Sequence, residues 1–158
     1  MAVNVRHATA EDVEALVAMG KAMHEESPEH HRKDFSEEKT RRLAQSICGV
    51  LPAPAVPTCA LVAEERGKII GMMSGFVVEH FFGHDRVASD YVFYVRPEHR
   101  GGSAAVRLLR AFEAWALQFD PFEIMPGVTT GFQTEKTVGF YRKLGYEVNG
   151  ATLVRRVK

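Results

Sequence analysis

A turn of small residues between a strand and a helix decides how this sequence folds. It lies within the segment Val95-Arg96-Pro97-Glu98-His99-Arg100-Gly101-Gly102-Ser103-Ala104-Ala105. Before the turn, Val87 to Val95 is rich in β-branched and aromatic residues, which predicts a strand, and Pro97 ends it. After the turn, apolar residues recur at helical spacing from Gly102 to Phe119. We therefore expect a strand that enters a helix through a loop of short side chains.

Such a loop can bind an anion through its backbone. The N–H groups of a first helical turn have no intrahelical acceptors, and the helix dipole adds about half a positive charge there. The short side chains of Gly101, Gly102, Ser103 and Ala104 let a phosphate approach these amides closely, and Arg100 adds a forked donor. The competing interpretation is a glycine-rich turn with a Ser N-cap and no ligand.

The rest of the chain predicts a mixed α/β (α+β) fold in which one sheet of about seven strands carries about four helices. Thr9 with Asp12 predicts a capping box, Ser36 a second N-cap, and Gly145 the end of a helix from Thr134 to Leu144. A hairpin is expected across Arg66-Gly67. The expected strands are Val3–His7, Cys59–Ala63, Ile69 toward Phe82, Val87–Val95, Phe122–Thr130, Tyr146–Val148 and Leu153–Arg155.

Composition predicts one soluble globular domain over residues 1–158. Twenty Lys and Arg balance twenty Asp and Glu, and 46% of the residues are apolar, so a disordered chain and a disulfide scaffold are both disfavoured. Zero net charge removes the global electrostatic case for a nucleic-acid partner. No secretory signal and no apolar run of about 20 residues is present, so we expect a cytoplasmic protein without a membrane partner. Cys48 and Cys59 are expected to be buried free thiols.

Two motifs make this sequence resemble the Gcn5-related N-acetyltransferases, the GNAT family, which use acyl-coenzyme A. The first has the form V-x-P-x-x-R-G-x-(G/S)-x-(A/G) and is read at Val95 through Ala105. The second has the form F-Y-x-K-L-G-Y/F-E and is read at Phe140 through Glu147. Each motif alone is weak, but together, behind the hairpin and strand pattern, they are specific. The resemblance covers essentially the whole chain in its order of elements.

The resemblance implies a mostly antiparallel sheet whose fourth and fifth strands splay into a V-shaped cleft. The pantetheine arm of acetyl-CoA would bind like an added strand to the backbone of Phe93 and Val95. The remaining implied coenzyme contacts are Arg100, Gly101, Gly102, Ser103, Ala104 and Ala105 for the pyrophosphate, and Thr134 further along.

The sequence departs from the family pattern at two of these contacts. Ser103 stands where the family usually has a second glycine in the loop. Thr134 stands where the family often has an asparagine, seven residues before the tyrosine of the second motif.

The expected reaction is acetyl transfer from acetyl-CoA to a primary amine by direct attack in a ternary complex. The resemblance implies that Tyr141 protonates the departing thiolate, and a free N–H near Val95 would stabilise the oxyanion. The base is open: Asp90 and Glu79 are the candidates, with His80 and bulk water as alternatives. By two-residue alternation Asp90 is expected on the same side of its strand as Ala88, Val92 and Tyr94.

Several properties of the site stay open at this stage. A loop rich in His and Glu, from His24 to His31, is expected to border the acceptor site, and neither it nor His80–Asp85 has the spacing of a metal site. The acceptor cannot be read from the sequence, and an exposed final strand allows pairing into a homodimer. A non-catalytic acyl-CoA-binding sensor or partner-binding module is the alternative function.

Overall fold

The computed structural model describes residues 2–158, and within this range the chain forms five strands and four α-helices. The strands are β1 (Asn4–His7), β2 (Thr58–Glu65), β3 (Lys68–Glu79), β4 (Arg86–Val95) and β5 (Glu123–Ile124). The helices are α1 (Val13–Glu26), α2 (Glu37–Ile47), α3 (Ala104–Leu117) and α4 (Thr134–Lys143).

The strands form one sheet in the order β1-β2-β3-β4-β5, antiparallel except for the parallel pair β4–β5. The predicted hairpin is confirmed: Arg66 and Gly67 both have positive φ, of 50° and 74°, and join β2 to β3. Two successive residues with positive φ form the turn whose twist matches that of the flanking strands. The sheet is therefore a mixed α/β arrangement of the predicted kind.

Each face of the sheet is covered by helices. The fully buried Leu108 and Phe112 of α3 pack on one face, together with Tyr141 of α4. Val17 and Met19 of α1 pack on the other face. The apolar spacing along α1 and α3 therefore identifies the faces that the sheet buries.

Two predicted helix starts are confirmed. The Asp12 carboxylate accepts the Thr9 N–H at 2.7 Å, at a short 3-10 turn over Ala10–Asp12 that leads into α1. The Ser36 hydroxyl accepts the Lys39 N–H at 3.1 Å at the start of α2. At the other end of the chain, α4 ends at Lys143, Leu144 is its C-cap, and Gly145 follows with a φ of 95°, as a C′ glycine should.

The prediction of about seven strands is wrong, because the last two do not form and the fifth is very short. β5 is expected over Phe122–Thr130 but ends at Ile124, since Pro126 has no N–H for a ladder. With so short an edge strand there is no template for the segments around Tyr146–Val148 and Leu153–Arg155, and an isolated hairpin is marginal in water. Their apolar side chains are exposed, by 58% at Val148 and 91% at Leu153.

The hairpin arm predicted toward Phe82 is also shorter, because β3 ends at Glu79. Phe81 and Phe82 lie in the turn beyond it and are 83% and 87% exposed. The two cysteines are free thiols as expected, with Cys59 buried and Cys48 partly buried. Burial raises the pKa of the Cys59 thiol to about 12, so this side chain acts as a small apolar core residue.

Candidate active site

The backbone pairing between β4 and β5 ends after two residue pairs. Its last hydrogen bond runs from the Met125 N–H to the Ala88 carbonyl at 2.7 Å. Pro126 has no N–H, and the Gly127 N–H donates to the Asp90 carboxylate at 2.8 Å rather than to backbone. Within residues 2–158, no backbone hydrogen bond joins the second half of β4 to the chain after β5. This opening lies where the resemblance places the coenzyme cleft.

The open edge of β4 presents the backbone of Phe93 and Val95. The Arg96 N–H donates to the Ile70 carbonyl of β3 at 2.9 Å. Because backbone groups alternate in direction along a strand, Tyr94 also faces β3, whereas Phe93 and Val95 face the opening. These two residues can therefore receive an added extended chain, as predicted for the pantetheine arm.

The turn after β4 has the geometry that the sequence predicts for an anion-binding loop. Gly101 has a φ of 82°, a conformation that favours glycine, and α3 begins three residues later at Ala104. The first backbone bond of this helix runs from the Arg107 N–H to the Ser103 carbonyl at 3.0 Å. The N–H groups before it, which include Ala104 and Ala105, have no intrahelical acceptor. A phosphate at this position would meet backbone donors and the positive end of α3.

Arg100, predicted as a phosphate donor, has a different set of partners in this structure. One terminal nitrogen, Nη2, donates to both Glu26 carboxylate oxygens at 2.8 and 2.9 Å. Its Nε donates to the Val95 carbonyl at 2.8 Å. The guanidinium carbon lies 5.4 Å from the ring centroid of Tyr94 and 5.7 Å from that of Phe132. The Val95 carbonyl is thereby occupied, which leaves its N–H as the group facing the opening.

Tyr141 lies in α4 with its ring buried against the open part of β4. The ring centroid is 6.3 Å from that of Phe93, 5.4 Å from Phe140 and 5.3 Å from Tyr146. Burial raises the pKa of the Tyr141 phenol well above its usual value, and the nearby Asp90 carboxylate adds to this effect. The phenol is therefore protonated throughout the neutral and mildly alkaline range, as a proton donor must be.

The hydroxyl of Tyr141 is the accessible part of this buried side chain. It donates to no acceptor within the described residues. Since no solvent-inaccessible side-chain oxygen or nitrogen in that range lacks a partner, the hydroxyl oxygen retains some exposure to solvent. A ring fixed on three sides with a free hydroxyl at its tip is suited to transfer a proton to a bound group.

A β-bulge in β4 determines where Asp90 points. Ser74 of β3 pairs with Val92, while the next residue, Gly75, pairs with Asp90, so Tyr91 is an extra residue in β4. An extra residue exchanges the two faces of a strand beyond it. The bulge therefore separates the side-chain pattern of β4 into two halves.

The expectation that Asp90 shares a face with Val92 and Tyr94 is corrected by this bulge. Val92 and Tyr94 pack on the α1 side of the sheet. Ala88, two regular residues before Asp90, packs on the α3 side with Tyr141. Asp90 thus lies on the Tyr141 side of the sheet. Burial raises the pKa of its carboxyl, although the Gly127 N–H bond opposes that rise.

The structure does not bring the other base candidates to this opening. Glu79 ends β3, pairs in register with Arg86 at the far end of β4, and lies 3.5 Å from His84. Glu79 and Arg86 instead line a separate cavity of about 260 Å³. His80 belongs to the exposed turn beyond Glu79.

Thr134, predicted as a coenzyme contact, is the first residue of α4 and its side chain is exposed.

The segment after α1 adds contacts that sequence reasoning missed. Ser27, 1% exposed, donates its hydroxyl to the Thr130 carbonyl at 2.5 Å, and the Glu29 N–H donates to the same carbonyl at 3.2 Å. The His30 N–H donates to the Ser27 hydroxyl at 3.0 Å. These bonds tie the predicted acceptor loop to the chain that follows β5. No local signal could indicate them, since Ser27 and Thr130 are 103 residues apart.

A second set of contacts that sequence reasoning missed holds the end of α4 against α3, next to Tyr141. The Tyr146 hydroxyl donates to the Glu113 carboxylate at 2.7 Å, and Arg110 pairs with the same carboxylate at 2.7 Å. The Tyr146 N–H donates to the Tyr141 carbonyl at 3.1 Å. The second motif therefore fixes the end of α4 to α3 as well as supplying Tyr141.

Neither a metal site nor a membrane span is visible in the part of the chain that the structure describes. Residues 2–158 contain no group of three or more His, Cys, Asp or Glu placed to hold a metal ion. In the same range no helix has the length and apolarity to cross a bilayer.

The profile of the Acetyltransferase (GNAT) family matches residues 20–146, which is most of the chain and includes the first motif and all but the last residue of the second. The chain belongs to the GNAT family. No curated protein matches the sequence.

Solved structures share the fold at low sequence identity. One is AAC(6')-Iy in complex with the bisubstrate analogue CoA-S-monomethyl-acetylneamine, with a TM-score of 0.78, 14% identity, and coverage of 100% of this chain and 99% of that one. Another is a ribosomal-protein-alanine N-acetyltransferase from Brucella melitensis, with a TM-score of 0.74, 15% identity and coverage of 99% of each chain. A third is a transcriptional regulator from Bacillus halodurans, with a TM-score of 0.76, 18% identity, and coverage of 98% of this chain and 99% of that one.

Proposed function

We propose that this GNAT protein is an N-acetyltransferase that moves acetyl from acetyl-CoA to a primary amine by direct attack in a ternary complex. One arrangement carries the proposal: the unpaired edge of β4 leads directly into the free amides at the start of α3, and the ring of Tyr141 lies 6.3 Å from that of Phe93 on this edge. Family membership supports acetyl transfer in general. The fold alone does not identify the acceptor, because similar folds serve many acceptors.

The donor would bind along β4. Its diphosphate would rest on the amides from Gly101 to Ala105, where the dipole of α3 favours negative charge. Its pantetheine arm would lie along Phe93 and Val95 as an additional strand. In this arrangement the thioester would lie toward the middle of β4, close to the ring of Tyr141, whose centroid is 6.3 Å from that of Phe93.

The reaction needs no covalent enzyme intermediate. The lone pair of the neutral amine attacks the thioester carbonyl carbon, so a C–N bond forms and the carbonyl oxygen becomes an oxyanion. A backbone N–H on the open edge of β4 that lies beside the thioester, and that the pantetheine arm leaves free, would donate to that oxyanion. Collapse of the intermediate re-forms the carbonyl and breaks the C–S bond. Holding both reactants in one cleft supplies much of the rate gain.

Two protons must move during these steps. The departing thiolate takes the phenolic proton of Tyr141, and the tyrosinate then regains a proton from solvent. The ammonium formed on attack loses its proton to a base, for which Asp90 is favoured over Glu79 because it shares a face with Tyr141. The raised pKa of Asp90 makes its carboxylate a better base than an exposed aspartate.

Calorimetry and thiol release test the proposal together. Coenzyme A is titrated into the full chain, and thiol release from acetyl-CoA is then followed with neamine, spermidine, a lysine-containing peptide and a peptide with an N-terminal alanine. The first and last follow from the substrates named for the neighbouring structures. We expect saturable heat with coenzyme A and amine-dependent thiol release. Binding without turnover for any amine would instead support a non-catalytic acyl-CoA sensor, and no heat would refute both functions.

A further inference from the structure

Arg100 stands where four chain segments meet. It follows the end of β4, precedes the anion-binding loop, pairs with the last residue of α1, and stacks near Phe132 just before α4. Its side chain is 29% exposed and that of Glu26 is 24% exposed. One guanidinium nitrogen that donates to both carboxylate oxygens fixes the relative position of the two partly buried side chains. The guanidinium is held in place by this pair and by the Val95 carbonyl.

The pair leads directly into the acceptor loop. Glu26 is the last residue of α1, and Ser27 follows it with its hydroxyl on the Thr130 carbonyl. The His31 N–H donates to the Ser27 carbonyl at 2.8 Å, so the loop turns on Ser27. Only Glu26 and Ser27 separate Arg100 from this loop, so a displacement of Arg100 would also displace the start of the loop.

We propose that Arg100 is a positioning residue that acts through Glu26, so that coenzyme bound at the start of α3 orders the acceptor loop over residues 27–33. The inference rests on the proposed function, since it requires coenzyme binding at that loop. The charge of the Arg100 guanidinium is balanced by Glu26, and backbone amides hold most of the diphosphate. Arg100 is then a connection between the donor and acceptor sides of the site rather than the principal phosphate ligand.

The competing role for Arg100 makes the opposite prediction for Glu26. If the guanidinium were the principal phosphate ligand, Glu26 would compete with the coenzyme for it. Removing the Glu26 charge would then tighten coenzyme A binding. If Arg100 acts through Glu26, the same substitution leaves the affinity nearly unchanged and disconnects the loop.

The experiment compares wild type, Glu26→Gln, Arg100→Lys and the double variant, with Glu25→Gln as the matched control. Glu25 is the exposed neighbour of Glu26, so its substitution removes the same charge without touching Arg100. Coenzyme A affinity is measured by calorimetry at fixed salt. Amide hydrogen exchange of residues 27–33 is measured with and without saturating coenzyme A, and thermal unfolding verifies that each variant is folded.

We expect coenzyme A to slow exchange of residues 27–33 at least threefold in wild type and Glu25→Gln, and less than 1.5-fold in the other three variants. The dissociation constant should change less than threefold in Glu26→Gln. With the fastest amine of the panel above, the KM for that amine should rise about tenfold in each single variant and no further in the double variant, because paired residues act as one unit.

Three results would overturn the inference. They are tenfold tighter coenzyme A binding in Glu26→Gln, retained loop protection in Glu26→Gln and Arg100→Lys, and additive KM effects in the double variant. The absence of any heat with wild type would instead refute the proposed function, so the two failures are distinguishable.

Discussion

The contact between Gly75 and the bulged part of β4 gives a sharp stability prediction. A Cβ on Gly75 would lie 2.6 and 2.8 Å from the Cε2 and Cζ atoms of Phe112, and it would overlap the Ser89 carbonyl oxygen. Phe112 is fully buried and the carbonyl belongs to the backbone, so neither can move aside through a change of rotamer. Gly75→Ala should therefore force β3 and β4 apart at the register position of Asp90.

The expected loss of stability is about 2 kcal/mol. Overpacking a filled core costs about 1–3 kcal/mol, and backbone displacement places this site in the upper part of that range. Alanine also lowers the conformational entropy of the unfolded chain, which stabilises the folded protein by about 0.4–1 kcal/mol and offsets part of this loss. A net loss of this size lowers the ratio of folded to unfolded protein about 30-fold and the melting temperature by about 4–8 °C.

Urea unfolding with Gly139→Ala as the control tests this estimate. Gly139 lies inside α4, and a Cβ there meets no atom within 4 Å. Alanine at this helix position should stabilise the protein by about 1 kcal/mol, so the two glycine-to-alanine changes have opposite signs. If Gly75→Ala unfolds within 0.5 kcal/mol of wild type, the register at the bulge and the reasoning about Asp90 are both refuted.

Three further predictions concern the reaction and the acid stability. Tyr141→Phe should lower kcat for thiol release about 100-fold and change the coenzyme A dissociation constant less than threefold; an unchanged kcat would exclude Tyr141 as the acid. The wild-type rate should rise with pH through an acidic limb, because the pKa of Asp90 is raised above its usual value, and Asp90→Asn should abolish that limb. The Arg6 guanidinium lowers the pKa of Asp12. The stability that the Arg6–Asp12 pair provides is therefore present above about pH 4 and lost as pH falls through the lowered pKa. Urea titrations should show this acid loss in wild type but not in Asp12→Asn.

Local signals predicted the parts of the fold that depend on neighbouring residues. The hairpin follows from Arg66-Gly67, whose positive φ angles are compatible with few residue pairs. The starts of α1 and α2 follow from side chains that satisfy amides three residues away. The turn that leads from β4 into α3 follows from small residues directly before a helical pattern. These features need only a few consecutive residues, so the chain order contains the necessary information.

Features that depend on distant pairing were predicted less well. Whether Tyr146–Val148 forms a strand depends on the edge offered by β5, and β5 ends at Ile124 because of Pro126. The Arg100–Glu26 pair joins residues 74 positions apart, and nothing in either local sequence indicates it. The place of Arg100 beside the loop predicts a phosphate contact, and the fold adds a carboxylate partner that the local sequence does not indicate.

The bulge at Tyr91 is the feature on which the assignment of the base depends, and the sequence did contain an indication of it. A strict two-residue alternation along β4 puts Asp90 with Val92 and Tyr94, on the α1 side, away from Tyr141. An isolated glycine inside a strand often marks a bulge or a close backbone approach, and Gly75 lies within β3 opposite Asp90. One inserted residue is sufficient to move a carboxylate from one face of the sheet to the other. For this reason the acid–base pair of the proposed reaction follows from the local register of β4 with β3, and not from the residue types alone.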